Sequence, residues 1–180
     1  MSETKLREFN RSSCEKILME AIKRARDINR NKGRKKYLCY VDRLTVFGSL
    51  INSSKEKIHD VDLYVSVWFI GKFDSQACYD YSEEYGPESL MYRGWYRIVE
   101  FPRSDVYRTI KARSVVLSVH IEPLERMLQE NGLYFDVIRD HQFQKAEYNA
   151  LKRHLAGIRA TGDSYLKRHS KREVYGLDIR

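Results

Sequence analysis

The stretch LTVFGSLINSSKEKIHDVDLYV, Leu44 to Val65, decides how the rest of the chain is read. An apolar run, Leu44-Thr45-Val46-Phe47, stops at Gly48-Ser49; a polar interval rich in Ser and Lys follows, and Asp60-Val61-Asp62 opens a second apolar run. Such runs read as two strands joined by a polar connection. Side chains alternate along a strand, so Asp60 and Asp62 leave one face and Val61 and Leu63 the other. Neighbouring carboxylates repel unless a cation lies between them. Magnesium is the natural candidate, since it takes oxygen ligands, keeps several waters and joins one or two carboxylates to substrate phosphates. Gly48 would let the backbone approach a phosphate closely, and Ser49 would add a hydroxyl donor. These four residues therefore predict a small triphosphate site, with Mg2+ on Asp60 and Asp62. The plainer alternative is a hairpin whose acidic strand end is merely solvated.

Gly48-Ser49, ten intervening residues and then Asp60-Val61-Asp62 with apolar flanks resemble the signature of the nucleotidyltransferase superfamily related to DNA polymerase beta, in its minimal and antibiotic-adenylylating branches. The resemblance implies an α/β (α+β) fold, a mixed β-sheet flanked by α-helices. It also implies transfer of a nucleoside monophosphate from a nucleoside triphosphate, ATP foremost, to an acceptor hydroxyl, with Asp60 and Asp62 binding metal. The acceptor stays open among a small molecule, a protein side chain and a nucleic acid, and a second subunit could complete its site. The connection departs from the family: Asn52-Ser53-Ser54 stands where a turn Gly is usual, and His59 precedes Asp60 in place of a small residue.

In the resembled family a third carboxylate on a later strand faces the first two and acts as general base. The strand in that place is Ser114 to Glu122, SVVLSVHIE, where the acid position falls on Ser118 and a following His on His120. Serine neither binds a metal well nor takes a proton at neutral pH. Ser118, His120 and Glu122 share one strand face by alternation, and imidazole is the side chain whose ordinary titration lies near neutrality. Glu100 on a neighbouring expected strand, and Asp136 within Tyr134-Phe135-Asp136-Val137, are further candidates for the third group. Against these stand a satisfied core histidine for His120, a helix N-terminal acid for Glu122 and a surface residue on an edge strand for Asp136. Two functions follow: an enzyme, with Asp60, Asp62 and His120 catalytic and Gly48 and Ser49 on the nucleotide, or a decayed relative that binds nucleotide or nucleic acid or neutralises a toxin. The retained Gly48, Ser49, Asp60 and Asp62 favour the first, and Ser118 with the missing turn Gly favours the second.

The 180 residues suit one domain, about residues 10 to 160, with a basic tail from 161 to 180. An apolar content of 42% with 32% charged residues excludes a disordered chain. No apolar run reaches bilayer length and the start lacks the apolar centre of a secretion signal, so a cytoplasmic protein without a membrane partner is expected. Cys14, Cys39 and Cys78 have no metal-like spacing and read as small buried hydrophobes. The net charge of +8 attracts anions, triphosphates and nucleic acids alike.

Ser12 and Glu15 have the form of a capping box before an amphipathic helix over 13–30, whose basic last turn and linker read as a solvated face ahead of a nucleic-acid patch. Asp74 starts a short helix that Gly86-Pro87 closes. Trp95 to Phe101 reads as a strand ended by Pro102, and Val106 to Lys111 as a strand that pairs with the next run in a hairpin. Pro123 starts a helix ended by Gly132, with Leu124, Met127 and Leu128 as its buried stripe. Leu133 to Ile138 is a last strand and 141–158 a last amphipathic helix, with the tail beyond Gly162 loosely packed.

Overall fold

The computed structural model describes residues 7–31, 35–121 and 132–169. Its centre is a five-stranded mixed sheet in the order β5-β4-β2-β6-β7. The strands are β2 (Cys39–Phe47), β4 (Val61–Phe69), β5 (Leu117–His120), β6 (Phe135–Arg139) and β7 (Gln142–Phe143). β4 runs antiparallel to β2 and parallel to β5, and β2 is antiparallel to β6. A separate two-stranded piece pairs β1 (Phe9–Asn10) with β3 (Lys57–Ile58). The helices are α1 (Arg11–Asn29), α2 (Ser49–Asn52), α3 (Ser75–Tyr85), α4 (Trp95–Lys111), α5 (Lys145–Thr161) and α6 (Asp163–His169). The fold is thus a mixed sheet with helices, as expected. No helix among the described residues is long and apolar enough to cross a membrane.

Alternation along β4 sorts the sheet into two faces. Val61, Leu63, Val65 and Val67 are buried, while Asp62, Tyr64 and Ser66 between them are half-buried and Trp68 is exposed. The buried set joins Leu18 and Ile22 of α1, Val106 and Ile110 of α4 and Leu151 of α5 in the main core. Burying such side chains contributes roughly 1.5–3 kcal/mol each, which fixes which face is which. Residues opposite one another in the ladders share a face, so Phe47, Thr45, Asp136, Ser118 and His120 stand with Asp62 and Tyr64 on the second, polar face.

The strand expected over Trp95 to Phe101 and the hairpin strand expected over Val106 to Lys111 are instead one helix, α4, with Pro102 inside it. Ile98, Phe101, Pro102, Asp105, Val106 and Ile110 are buried at helical spacing. A helical proline removes the hydrogen bond to the carbonyl four residues back, here Ile98. The buried Ser82 hydroxyl of α3 donates to that carbonyl at 2.8 Å and fills the gap. A second cluster of Tyr81, Leu90, Ile98 and Phe101 joins α3 to α4.

The capping box also gives way. The α1 helix begins at Arg11, whose amide donates to Glu56 O at 2.8 Å, and no side chain caps it. Glu15 is buried and pairs with Arg159 of α5. Asp74 does cap α3, its Oδ1 accepting from Gln76 N at 2.9 Å and Ala77 N at 3.2 Å. The basic end of α1 is put to use within the fold: Arg24 donates to Ile110 O at the α4 C-terminus and Arg26 lies 3.7 Å over the Phe143 ring. In the tail, residues 163–169 are helical, and Tyr165 of that helix, α6, seats against Gly157 and His154. The helix expected from Pro123 lies outside the described residues.

Candidate functional site

Phe47 is the last residue of β2 and sits opposite Asp62 in the ladder, so the chain must leave the sheet beside that carboxylate. It does so at Gly48, with φ +80°, and a Cβ built there would lie 2.0 Å from Asp62 Oδ2. Backbone conformation and space therefore both demand glycine. Ser49 follows, exposed, as the first residue of α2.

The turn is pinned from beneath. Gly48 O accepts from Ile51 N, Asn52 N and Asn52 Nδ2 at 3.1, 3.0 and 3.2 Å. The Asn52 amide also exchanges hydrogen bonds with Leu133, donating to its O and accepting from its N, both at 3.1 Å. Arg11 donates to the carbonyls of Leu50 at 2.8 Å, Lys55 at 3.0 Å and Ser53. His154 Nε2 lies 2.8 Å from Ile51 O. Sequence reasoning named Asn52 only as a departure from the family and missed Arg11 and His154. Their spacing of 39 and 103 residues from the carbonyls they hold leaves no local signal.

On the other side of Asp62 lies β5. Ser118 is the direct partner of Asp62 in the parallel ladder, and His120 is the partner of Tyr64. His120 Nε2 is 2.9 Å from Asp62 Oδ1. With Asp62 ionised the carboxylate only accepts, so Nε2 is the donor of this pair and Nδ1 is left with the acceptor lone pair. The His120 ring also packs 5.3 Å from that of Phe47. Burial pushes the Asp62 carboxyl above its ordinary range, the His120 hydrogen bond opposes this, and the negative charge of Asp60 adds to it. Asp60, half-buried, directly precedes β4, with Val61 between it and Asp62 turned into the core.

No family model, curated protein or solved structure matches the chain.

The remaining sequence candidates separate. Glu100, expected on a strand, lies on α4 and faces Arg103 at 3.3 Å. Glu122 lies outside the described residues. Asp136 is on the polar face but is fully buried, 0% exposed. Arg43 donates to it through Nε at 3.2 Å and Nη2 at 2.7 Å, Arg139 through Nη2 at 2.6 Å, and the Thr45 hydroxyl also donates. It is therefore no surface residue, and its charge is already spoken for. Burial alone would raise its pKa, but these donors outweigh burial and hold it below the ordinary carboxylate range.

Among the described residues, no three His, Cys, Asp or Glu side chains converge into a protein-only metal cage. Asp60 and Asp62 offer hard oxygen donors, and the proton affinity of Asp62 is raised by burial and by its acidic neighbour. Such a pair fits a magnesium ion whose other ligands are water and substrate phosphate, which is how that ion is commonly held.

Proposed function

We propose that the protein is a metal-dependent nucleotidyltransferase, moving a nucleoside monophosphate from a triphosphate, ATP foremost, to an acceptor hydroxyl. One observation carries this reading: a glycine at positive φ, where any side chain would be driven against the Asp62 carboxylate, followed by an exposed serine. A solvated hairpin end has no need of such an approach. Asp60 and Asp62 would hold Mg2+, which when bound neutralises phosphate charge.

The chain's own residues do the rest. The Gly48 backbone and the Ser49 hydroxyl bind the outer phosphates, in a turn whose shape Arg11, Asn52 and His154 fix through its carbonyls. Positioning of this kind supplies much of the acceleration in phosphoryl chemistry. Asp62 orients His120 by accepting the hydrogen bond from its Nε2–H, leaving Nδ1 to take the proton of the acceptor hydroxyl as that oxygen attacks the α-phosphorus and pyrophosphate leaves. In this reading His120 stands in for a carboxylate at Ser118.

The position of Ser118, directly opposite Asp62, supports a second reading in which the third acid is lost and the protein binds nucleotide or nucleic acid without chemistry, or neutralises a toxin. Incubation with α-labelled triphosphates and Mg2+ separates the two. The first reading expects label on an acceptor or on the protein itself, and its loss in the Asp60→Ala/Asp62→Ala double variant. Labelling that survives the double change sinks the assignment; triphosphate binding with no labelling in the wild type favours the second.

A further inference from the structure

The polar face of the sheet extends well beyond the candidate site. Along β4 the residues Asp62, Tyr64, Ser66 and Trp68 follow one another on it, so Trp68 lies roughly 20 Å from Asp62 at the rise of a strand. Trp68 is 55% exposed, and its ladder partner on β2 is Tyr40. Its indole Nε1 donates to Ser66 Oγ at 3.0 Å, and the Tyr40 ring meets His141 edge-on at 5.4 Å. A large aromatic left open near the end of β4, beyond the reach of β5, is a stacking surface.

Between Trp68 and Asp62 lies the arginine pair. Arg43, the ladder partner of Ser66, and Arg139 both anchor on the buried Asp136, and both side chains remain partly exposed. Two guanidiniums against one carboxylate leave one net positive charge, with N–H groups beyond those Asp136 accepts. The buried acid thus fixes two cationic forks at the surface, which lowers the entropy cost of gripping an anion.

We propose that this face is a platform for single-stranded nucleic acid, with Arg43 and Arg139 holding a backbone phosphate and Trp68, beside Tyr40, stacking a base. Cationic groups alternating with exposed aromatics on a sheet are the general means of binding unpaired strands, because every base has a π-face. A duplex buries those faces and offers only its phosphates. The chain's net charge of +8 favours such a polyanion. As an acceptor surface leading to Asp62 the platform rests on the transfer reading above; as a binding surface it does not.

The test measures anisotropy of labelled 12-nucleotide RNA and DNA, single-stranded and duplex, in EDTA without triphosphate, at several salt concentrations. Single strands are expected to bind, more weakly as salt rises, with a log–log slope of about −0.7 for each phosphate the protein engages. The triple variant Arg43→Gln/Asp136→Asn/Arg139→Gln, which leaves no orphaned acid, should flatten that slope and weaken binding at least about ten-fold. Trp68→Ala, a surface change that keeps the test decisive if the triple variant fails to fold, should weaken it about ten-fold. Trp95→Ala, exposed at the start of α4, should leave affinity unchanged. The proposal is overturned by absence of single-strand binding, by duplex binding as tight as single-strand binding, or by equal effects of the Trp68 and Trp95 changes. Because no metal or triphosphate is present, a protein that binds strands but transfers nothing loses only the transfer reading, and one that transfers but binds no strand loses only this one.

Discussion

Two aspartates on the same face of the same sheet sit in opposite electrostatic circumstances. Asp136, between β2 and its arginines, receives hydrogen bonds from Arg43, Thr45 and Arg139 and titrates below the ordinary range. Asp62, between β2 and β5, is held by His120 with Asp60 nearby, and titrates above it. The fold has satisfied one carboxylate and left the other short of positive charge. A residue kept in that state costs stability unless an outside cation completes it, which is how a binding or catalytic acid differs from a structural one.

Deleting each acid breaks the comparison most sharply. Asp136→Ala removes the charge-assisted hydrogen bonds of two partly exposed guanidiniums and orphans a buried hydroxyl, and should lower unfolding stability by about 2–4 kcal/mol. Asp62→Asn, measured by denaturant unfolding without divalent ions near neutral pH, should be as stable as the wild type or more so. A large loss at Asp62 and a small one at Asp136 would reverse the assignment of roles.

A smaller effect tests the approach of Gly48. Gly48→Ala should cost about 1–3 kcal/mol, from the positive φ and from the methyl group driven against Asp62 Oδ2. In the Gly48→Ala/Asp62→Ala double variant the contacts with Asp62 Oδ2 and Cγ are gone and only that with Cβ, at 3.0 Å, remains, so the two changes should couple by roughly 0.5–3 kcal/mol in a double-mutant cycle. Strict additivity would mean that the turn and the carboxylate do not touch.

The smallest expected effect is on the pH profile. Asp136 has a folded pKa below its unfolded value of about 3.9, so its contribution is complete above that value and is lost as pH falls through the lower folded one. Asp62 runs the other way: its folded pKa is raised, so stability is greatest with the group protonated and is lost as pH rises through that value. Unfolding curves between pH 2 and 6 should lose part of their acid limb in Asp136→Asn and gain a flatter upper part in Asp62→Asn.

How much of this could be read from the chain depended on how far apart the deciding partners lie. The β2 and β4 strands, their alternation and the meeting of Gly48 with Asp62 all follow from a stretch of 22 residues, Leu44 to Val65, and were legible there. The α4 helix was not, because the run Trp95 to Phe101 is rich in aromatic and branched residues and Pro102 argues for a stop. What permits proline inside a helix is a serine on another helix, 16 residues from the carbonyl it satisfies. His120 was legible as a residue on the right strand, but its hydrogen bond to Asp62 needed the parallel pairing of β5 with β4. Asp136 showed only as an acid among apolar neighbours; its arginines come from β2, 93 residues away, and from the end of its own strand.

The central claim is that Asp60 and Asp62 wait for a divalent cation and a triphosphate together. Calorimetric titration of ATP into the protein, with Mg2+ and then with EDTA, tests it most directly. The account predicts saturable binding that needs the metal and is abolished in Asp62→Asn despite that variant's intact fold. Binding of equal strength with and without metal, or unchanged in Asp62→Asn, would contradict it.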